Sequence, residues 1–236
     1  MKKIISLIIL SVMSLPLFSQ ANNAAYNLNT RQIDIAEKRA AFGLTEEEFN
    51  NIAGSPYANE LFITGNIYKN DKELFKDVLL RYNIFADEIE VKTSENASDD
   101  SYGALIKEPN TLVKILNDIY IFVPFEGSNE NGHYFSILAE ESNFDLYKKT
   151  EVSYSAPSYA KTSYDRDKPA SFTQKSIYYM VSKDGRFYEL PNSKSKIIKV
   201  MNKKKDQVKA YIKTASLDFK KENDLIKLVK YYNSLL

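Results

Sequence analysis

The stretch Val78-Leu79-Leu80-Arg81-Tyr82-Asn83-Ile84-Phe85-Ala86-Asp87-Glu88-Ile89-Glu90-Val91-Lys92-Thr93 decides the fold. Val78, Leu80, Tyr82 and Ile84 alternate with Leu79, Arg81, Asn83 and Phe85, a period of two that puts each set on its own face of a β-strand. Ala86-Asp87 turns the chain, and Glu88 to Thr93 resumes the alternation with Ile89 and Val91 on one face. Two such runs joined by so short a turn pair antiparallel, because parallel neighbours need a crossover of about a dozen residues.

The same pattern repeats on either side. Phe62 to Tyr68 is an expected strand in which Gly65 marks a bulge or a close backbone approach. Tyr102 to Ile106 and Leu112 to Leu116 follow, and Asn117-Asp118 is read as a two-residue turn into Ile119 to Phe125, since both residues tolerate positive φ. His133 to Ala139 and Phe144 to Ser153 flank Glu141-Ser142-Asn143, and Ile177 to Val181 and Phe187 to Leu190 flank Lys183-Asp184-Gly185. Ser155 to Ser171, rich in Ser, Tyr, Lys and Pro, is expected as a linker or an extended cover strand. Residues 55–192 are therefore expected as an antiparallel β-meander.

Helical spacing brackets the meander. Residues 22–54 are read as a loose segment followed by short helices, one over Thr30 to Phe42 stopped by Gly43. A second is opened by the capping box Thr45-Glu46-Glu47-Glu48, ends at Gly54 and is followed by the turn Ser55-Pro56. After residue 193, Ile197, Met201, Val208 and Ile212 share a helix face, as do Leu225, Leu228, Val229 and Tyr232 beyond Ser216 to Lys221. Residues 193–236 are expected as a helical hairpin packed on the sheet within the same domain, which makes the fold class α+β.

The first 21 residues read differently. Lys2 and Lys3 precede an apolar run from Ile4 to Phe18, and Ser19-Gln20-Ala21 offers small residues for a cut after Ala21. The run, about 15 residues, is shorter than the roughly 20 a spanning helix needs. Residues 1–21 are thus expected as a cleavable signal peptide, with a secreted or periplasmic mature chain that has no transmembrane segment. The chain has no Cys, so a lipoprotein anchor and disulfides are both excluded and the fold must be held by core burial.

Composition also removes chemistry. With one His and no Cys, a thiol nucleophile is impossible, a zinc site of several histidines cannot be built, and a Ser-His-acid triad would have to use His133. His133, at the start of an expected strand and beside Gly132 in a turn cluster, is expected as a surface turn residue. Glycoside hydrolysis needs only two carboxylates at a set separation, and Asp87, Glu88 and Glu90 cluster, as do Asp99-Asp100 and Glu140-Glu141. Glu88 and Glu90, opposite Ile89 and Val91, are expected on a solvated sheet face. Asp99-Asp100 with Glu95 lacks the spacing and glycine of an EF-hand loop. No glycine pattern for phosphate is present. No catalytic residue, metal or cofactor is assigned.

Two binding candidates remain. Tyr154, Tyr159 and Tyr164 recur every five residues and offer flat rings with polar tips for a sugar or peptide; the competing and expected role is to pin an extended segment onto the sheet. Lys203, Lys204 and Lys205 crown a tail whose 12 Lys against 4 acids give residues 193–236 a net charge of +8, while residues 22–192 carry −9. Such an asymmetry suits internal docking or an acidic partner. Arg, which binds phosphate bidentately, is absent from the tail, so nucleic acid is not expected.

Gly54-Ser55-Pro56-Tyr57 with Phe62 and Gly65, then Leu80-Arg81-Tyr82-Asn83 with Asp87-Glu88-Ile89-Glu90, and the ending Asp224-Leu225-Ile226 through Tyr231-Tyr232-Asn233, together resemble a family of exported bacterial proteins of unknown function. The resemblance implies export and a shared fold, and it brings no catalytic residue, ligand or partner. The expectation is a non-enzymatic binding or structural protein of the bacterial envelope, with a protein partner there; the alternative is a carboxylate-based hydrolase acting on an envelope polymer.

Overall fold

The alternating runs pair into one antiparallel sheet. The computed structural model describes residues 30–31, 43–92, 94, 102–125, 131–162 and 164–236; the expected signal peptide, the segment after it, most of the helix expected from Thr30 and the Asp99-Asp100 loop lie outside these. The eleven strands among the described residues are β1 (Thr30–Arg31), β2 (Ile63–Lys69), β3 (Lys72–Asn83), β4 (Glu88–Lys92), β5 (Tyr102–Leu105), β6 (Thr111–Ile115), β7 (Asp118–Pro124), β8 (Gly132–Ala139), β9 (Phe144–Ser155), β10 (Ser171–Ser182) and β11 (Phe187–Leu190). Their order is β1-β5-β4-β3-β2-β6-β7-β8-β9-β10-β11. Two meanders, β2 to β5 and β6 to β11, are thus joined where β6 returns to the free edge of β2, pairing Lys69 with Thr111 and Gly65 with Ile115. Thr30 and Arg31, read from sequence as the start of a helix, instead pair with Leu105 and Ala104 as a short edge strand.

Local chemistry sets the joints. Asn70 and Asp71 both take positive φ, 48° and 62°, in the two-residue turn between β2 and β3. The β6–β7 turn lies one residue earlier than expected: Ile115 pairs with Asp118, so the turn is Leu116-Asn117, with Leu116 at φ 54°. Gly65 meets both of its expectations, because a bulge follows it and a Cβ there would lie 2.3 Å from the Lys114 carbonyl oxygen. β10 begins at Ser171 rather than Ile177, since its polar residues Thr173 to Ser176 pair with Ser153 to Thr150 of β9.

One sheet face carries two apolar clusters. Leu80, Tyr82, Ile89, Val91, Ile67, Val113, Tyr120, Phe122 and Tyr134 pack as the first, across β2 to β8. Leu146, Met180 and Leu190 continue that face and receive the C-terminal helices. Those helices are α2 (Lys194–Val200), a 3-10 turn (Asn202–Lys204), α3 (Lys205–Thr214) and α4 (Glu222–Ser234), α1 being Glu46–Asn50. The expected two-helix hairpin is therefore three helices with a break after Met201. The residues that define both expected faces are nonetheless buried, Ile197, Met201, Val208 and Ile212 as well as Leu225, Leu228, Val229 and Tyr232. Asn233 pins α4 to the β8–β9 turn: its side chain donates to the Phe144 carbonyl at 2.9 Å and accepts from the Asn143 and Phe144 N–H groups at 3.0 and 2.9 Å.

The capping box forms, with Glu48 N–H donating to the Thr45 hydroxyl and Thr45 N–H to the Glu48 carboxylate. Its helix stops at Asn50, not at Gly54. Ala53 instead bridges to Ser171, and Gly54, at φ 86°, lies where a Cβ would come within 2.5 Å of the Phe172 carbonyl oxygen. Phe172 meets the rings of Phe49 and Phe85 at 5.4 and 5.6 Å, and Gln174 donates to the Ser55 and Tyr57 carbonyls. The sheet thus curls so that the first half of β10 closes against residues 49–57 and the β3–β4 turn. Among the described residues no helix is long and apolar enough to cross a membrane.

Candidate functional site

The face of β7 to β11 turned away from the helices carries the other alternation set: Val123, His133, Phe135, Tyr147, Lys149, Tyr179 and Phe187. Phe135, Tyr179 and Phe187 touch one another edge-on or tilted, with centroids 5.2 to 5.8 Å apart, and Tyr147 adds contacts to Phe135 and Phe187. Edge-to-face geometry aligns ring quadrupoles favourably, by about 0.5–1.5 kcal/mol per pair beyond area burial. Over this floor lies a cleft of about 670 Å³, within the size range of ligand sites, walled on one side by Phe125 and His133 and on the other by Asp184, Gly185 and Arg186 of the β10–β11 turn. Lys149 reaches it from β9 and is held by Glu151 at 2.9 Å.

Polar groups are placed at the rim. Arg186 pairs with Asp184 at 2.9 Å, and the Ser182 hydroxyl, donating to Asp184, holds that carboxyl below its usual range. Burial pushes the Tyr179 phenol up, and that of Tyr147 up to about 12, so both present neutral hydroxyls at neutral pH. At the opposite rim His133 Nδ1 sits 3.0 Å from Asp87 Oδ2, while Asp87 Oδ1 accepts from the Tyr82 hydroxyl at 2.8 Å and the Tyr134 N–H at 3.2 Å. Phe125 meets the imidazole edge-on at 5.0 Å. These contacts, with Lys107 Nζ at 3.9 Å, fix Asp87, and Asp87 fixes the ring, leaving Nε2 without a partner among the described residues. His133, expected as a surface residue where a strand leaves a turn cluster, is a partly buried residue of β8 paired with Val123 that joins the cleft to the end of the first core.

The acidic face of β4 corrects the sequence reading most sharply. Glu88 and Glu90 are buried, not solvated, and all five residues of β4 are buried on both faces. Arg81 grips Glu90 with Nε at 2.8 Å and Nη2 at 2.5 Å, Asn83 donates to the same carboxylate at 2.7 Å, and the Arg81 guanidinium lies against the rings of Tyr57 and Phe62 at 3.9 and 4.3 Å. Burial raises the Glu90 carboxyl above its ordinary value against the pull of Arg81. Glu88 is met by Arg31 and by Lys107 at 3.3 Å, and its Oε2 is buried without a hydrogen bond.

The binding residues expected from sequence are scattered. Tyr154 lies in β9 and packs on its cross-strand partner Phe172 at 6.0 Å. Tyr159 and Tyr164, 76% and 98% exposed, sit on the outer arm of the β9–β10 hairpin, which a Ser158–Lys168 bridge extends beyond the sheet. Lys203, Lys204 and Lys205 lie at the break between α2 and α3; Lys203 lines a smaller cavity of about 360 Å³ with Phe144, Tyr188 and Tyr232, and Lys204 and Lys205 line neither cavity. The cleft aromatics were missed because each occupies one alternate position on a different strand, and only the register brings them together. Comparison with family models, with curated proteins and with solved structures finds no match for this chain.

Proposed function

We propose that the chain is an exported, non-enzymatic binding protein of the bacterial envelope or exterior, and that the aromatic cleft, on the sheet face turned away from the described helices, holds its ligand. The observation that carries this is a concave floor of Phe135, Tyr179 and Phe187 with sparse polar groups at its rim, the composition of a recognition site. Export rests on the signal read over residues 1–21, and the resemblance to exported bacterial proteins supports it. The helices gathered behind the sheet, in an α+β arrangement, leave this face to the partner.

The alternative, carboxylate hydrolysis, draws less support from the same geometry. It needs two carboxylates about 5 to 10 Å apart across the substrate. Of the described residues lining the cleft only Asp184 is acidic, and Arg186 neutralises it. Glu88 and Glu90 are buried beneath their cations.

His133 is the chain's one histidine, so its Hε1 proton gives a single histidine NMR signal of that kind, placed at the rim. Titrating the chain from Asn22 with soluble peptidoglycan fragments and with extended peptides should move that signal for one class. Phe125→Ala, at a half-exposed rim position, should weaken that binding about tenfold, the equivalent of about 1.4 kcal/mol. Binding that moves the His133 signal equally in wild type and in Phe125→Ala would remove the cleft from the reading.

A further inference from the structure

Among the described residues strand β11 ends the sheet and pairs only with β10. The bond that closes their turn, Ser182 N–H to the Arg186 carbonyl at 3.0 Å, sets the alternation of the ladder. Tyr188 and Leu190 point their backbone groups at β10, and Phe187 and Glu189 point theirs to the open side. Among the described residues neither Phe187 nor Glu189 makes a backbone hydrogen bond there, and Tyr188 and Glu189 are exposed. An edge with free donors and acceptors spaced at every second residue is a template for another strand.

Cavities flank this edge on both faces. On the outer face is the aromatic cleft, reached past Phe187; on the inner face is the cavity of about 360 Å³ beside Tyr188, floored by Phe144 and Tyr232 and bounded by Lys203. Asp184 and Arg186 line both, so the turn is a thin wall between them. The chemistry of the two sides differs. The outer side is aromatic, and Glu189 beside it repels acids. On the inner side Arg186 is taken by Asp184, and Lys203 is a cation with no ion-pair partner among the described residues.

We propose that the ligand is an extended peptide that adds to β11 as a twelfth strand, placing apolar side chains in the aromatic cleft and acidic ones toward Lys203. The proposal rests on the cleft as the binding site and specifies what fills it. Backbone bonds to Phe187 and Glu189 supply affinity, and the alternation of side chains between the two faces supplies selectivity, because a strand presents successive side chains to opposite faces. A glycan has no row of amide donors at strand spacing to match this edge.

The test uses blocked heptapeptides alternating phenylalanine with glutamate, and two copies N-methylated at one or the other alternate set of amides. One methylated peptide should lose at least about tenfold in affinity while the other binds as the parent does, since only every second amide faces β11. On binding, hydrogen exchange should slow at the Phe187 and Glu189 amides, and Lys203→Glu should weaken the glutamate peptide while strengthening its lysine-substituted counterpart. Equal binding by both methylated peptides, with Phe187 and Glu189 exchange unchanged, overturns strand addition. If peptidoglycan fragments alone move the His133 signal, the peptide is wrong and the cleft stands. If peptides slow exchange along β11 without any effect of Phe125→Ala, strand addition stands and the cleft reading fails.

Discussion

Arg81 shows how one side chain holds a face that alternation marks as polar. Its side chain is 13% exposed, and its guanidinium donates twice to Glu90 and once to the Glu60 carbonyl and lies against the rings of Tyr57 and Phe62. A carboxylate as buried as Glu90 tolerates its charge only while such a partner stays in place. Arg81→Ala should therefore cost about 3–5 kcal/mol in urea unfolding, most of it the penalty of an uncompensated buried acid. Adding Glu90→Gln should recover a large part of that loss, and a double mutant no more stable than the single would refute the pairing. The sequence made the parity of Arg81, Asn83, Glu88 and Glu90 plain. It did not reveal that their face is covered, because period two separates the two sides of a strand and says nothing of what packs on either.

At the scale of elements, turn chemistry was legible and joints between distant segments were not. Lys183-Asp184-Gly185 forms its turn with Gly185 at φ 82°, and Thr45 caps its helix, since both depend on residues within four positions of one another. Gly54 reads locally as a helix stop, yet its role is to let residues 53–54 touch β10, more than a hundred positions away. Ala53 N–H donates to the Ala170 carbonyl at 3.1 Å, and Phe172 N–H donates back to Ala53 at 2.8 Å. A Cβ on Gly54 meets both a left-handed backbone and the Phe172 carbonyl oxygen at 2.5 Å. Gly54→Ala should thus destabilise the fold by about 1–3 kcal/mol, and hydrogen exchange should accelerate first at Phe172. Unchanged exchange at Phe172 would mean that this seam does not help close the sheet. The helical tail was legible as buried positions and illegible as to number of helices, because one apolar stripe runs across the break at Met201 without changing phase.

Over the described residues, charge separates without docking. Of the twelve lysines in residues 193–236 all but Lys204 are exposed, and the helices meet the sheet through apolar residues, with Lys148–Glu222 at 2.9 Å as an ion pair that reverses the expected signs. The strand order is the other feature no local reading supplies, since β6 finds β2 across forty residues to build one core. That core is rich in tyrosine rather than closed by cysteine, and this gives the protein a characteristic pH limit. Tyr82, Tyr120 and Tyr134 lie in the first cluster with their rings in contact, and burial raises all three phenols above the ordinary value near 10. Tyr147 on the outer face is raised to about 12. A raised phenol binds its proton more tightly in the folded chain than in the unfolded one. Its contribution to stability is therefore complete below pH 10 and is lost as pH climbs through the folded values, because the unfolded chain then gains more by ionising. Urea midpoints should hold steady up to about pH 9 and fall steeply from pH 10 to 12, with phenolate absorbance of the buried set rising together with the loss of far-UV circular dichroism. Tyr134→Phe should leave the neutral-pH midpoint nearly unchanged and shift the alkaline transition upward. An alkaline transition that stays put in that variant would assign the limit to other groups.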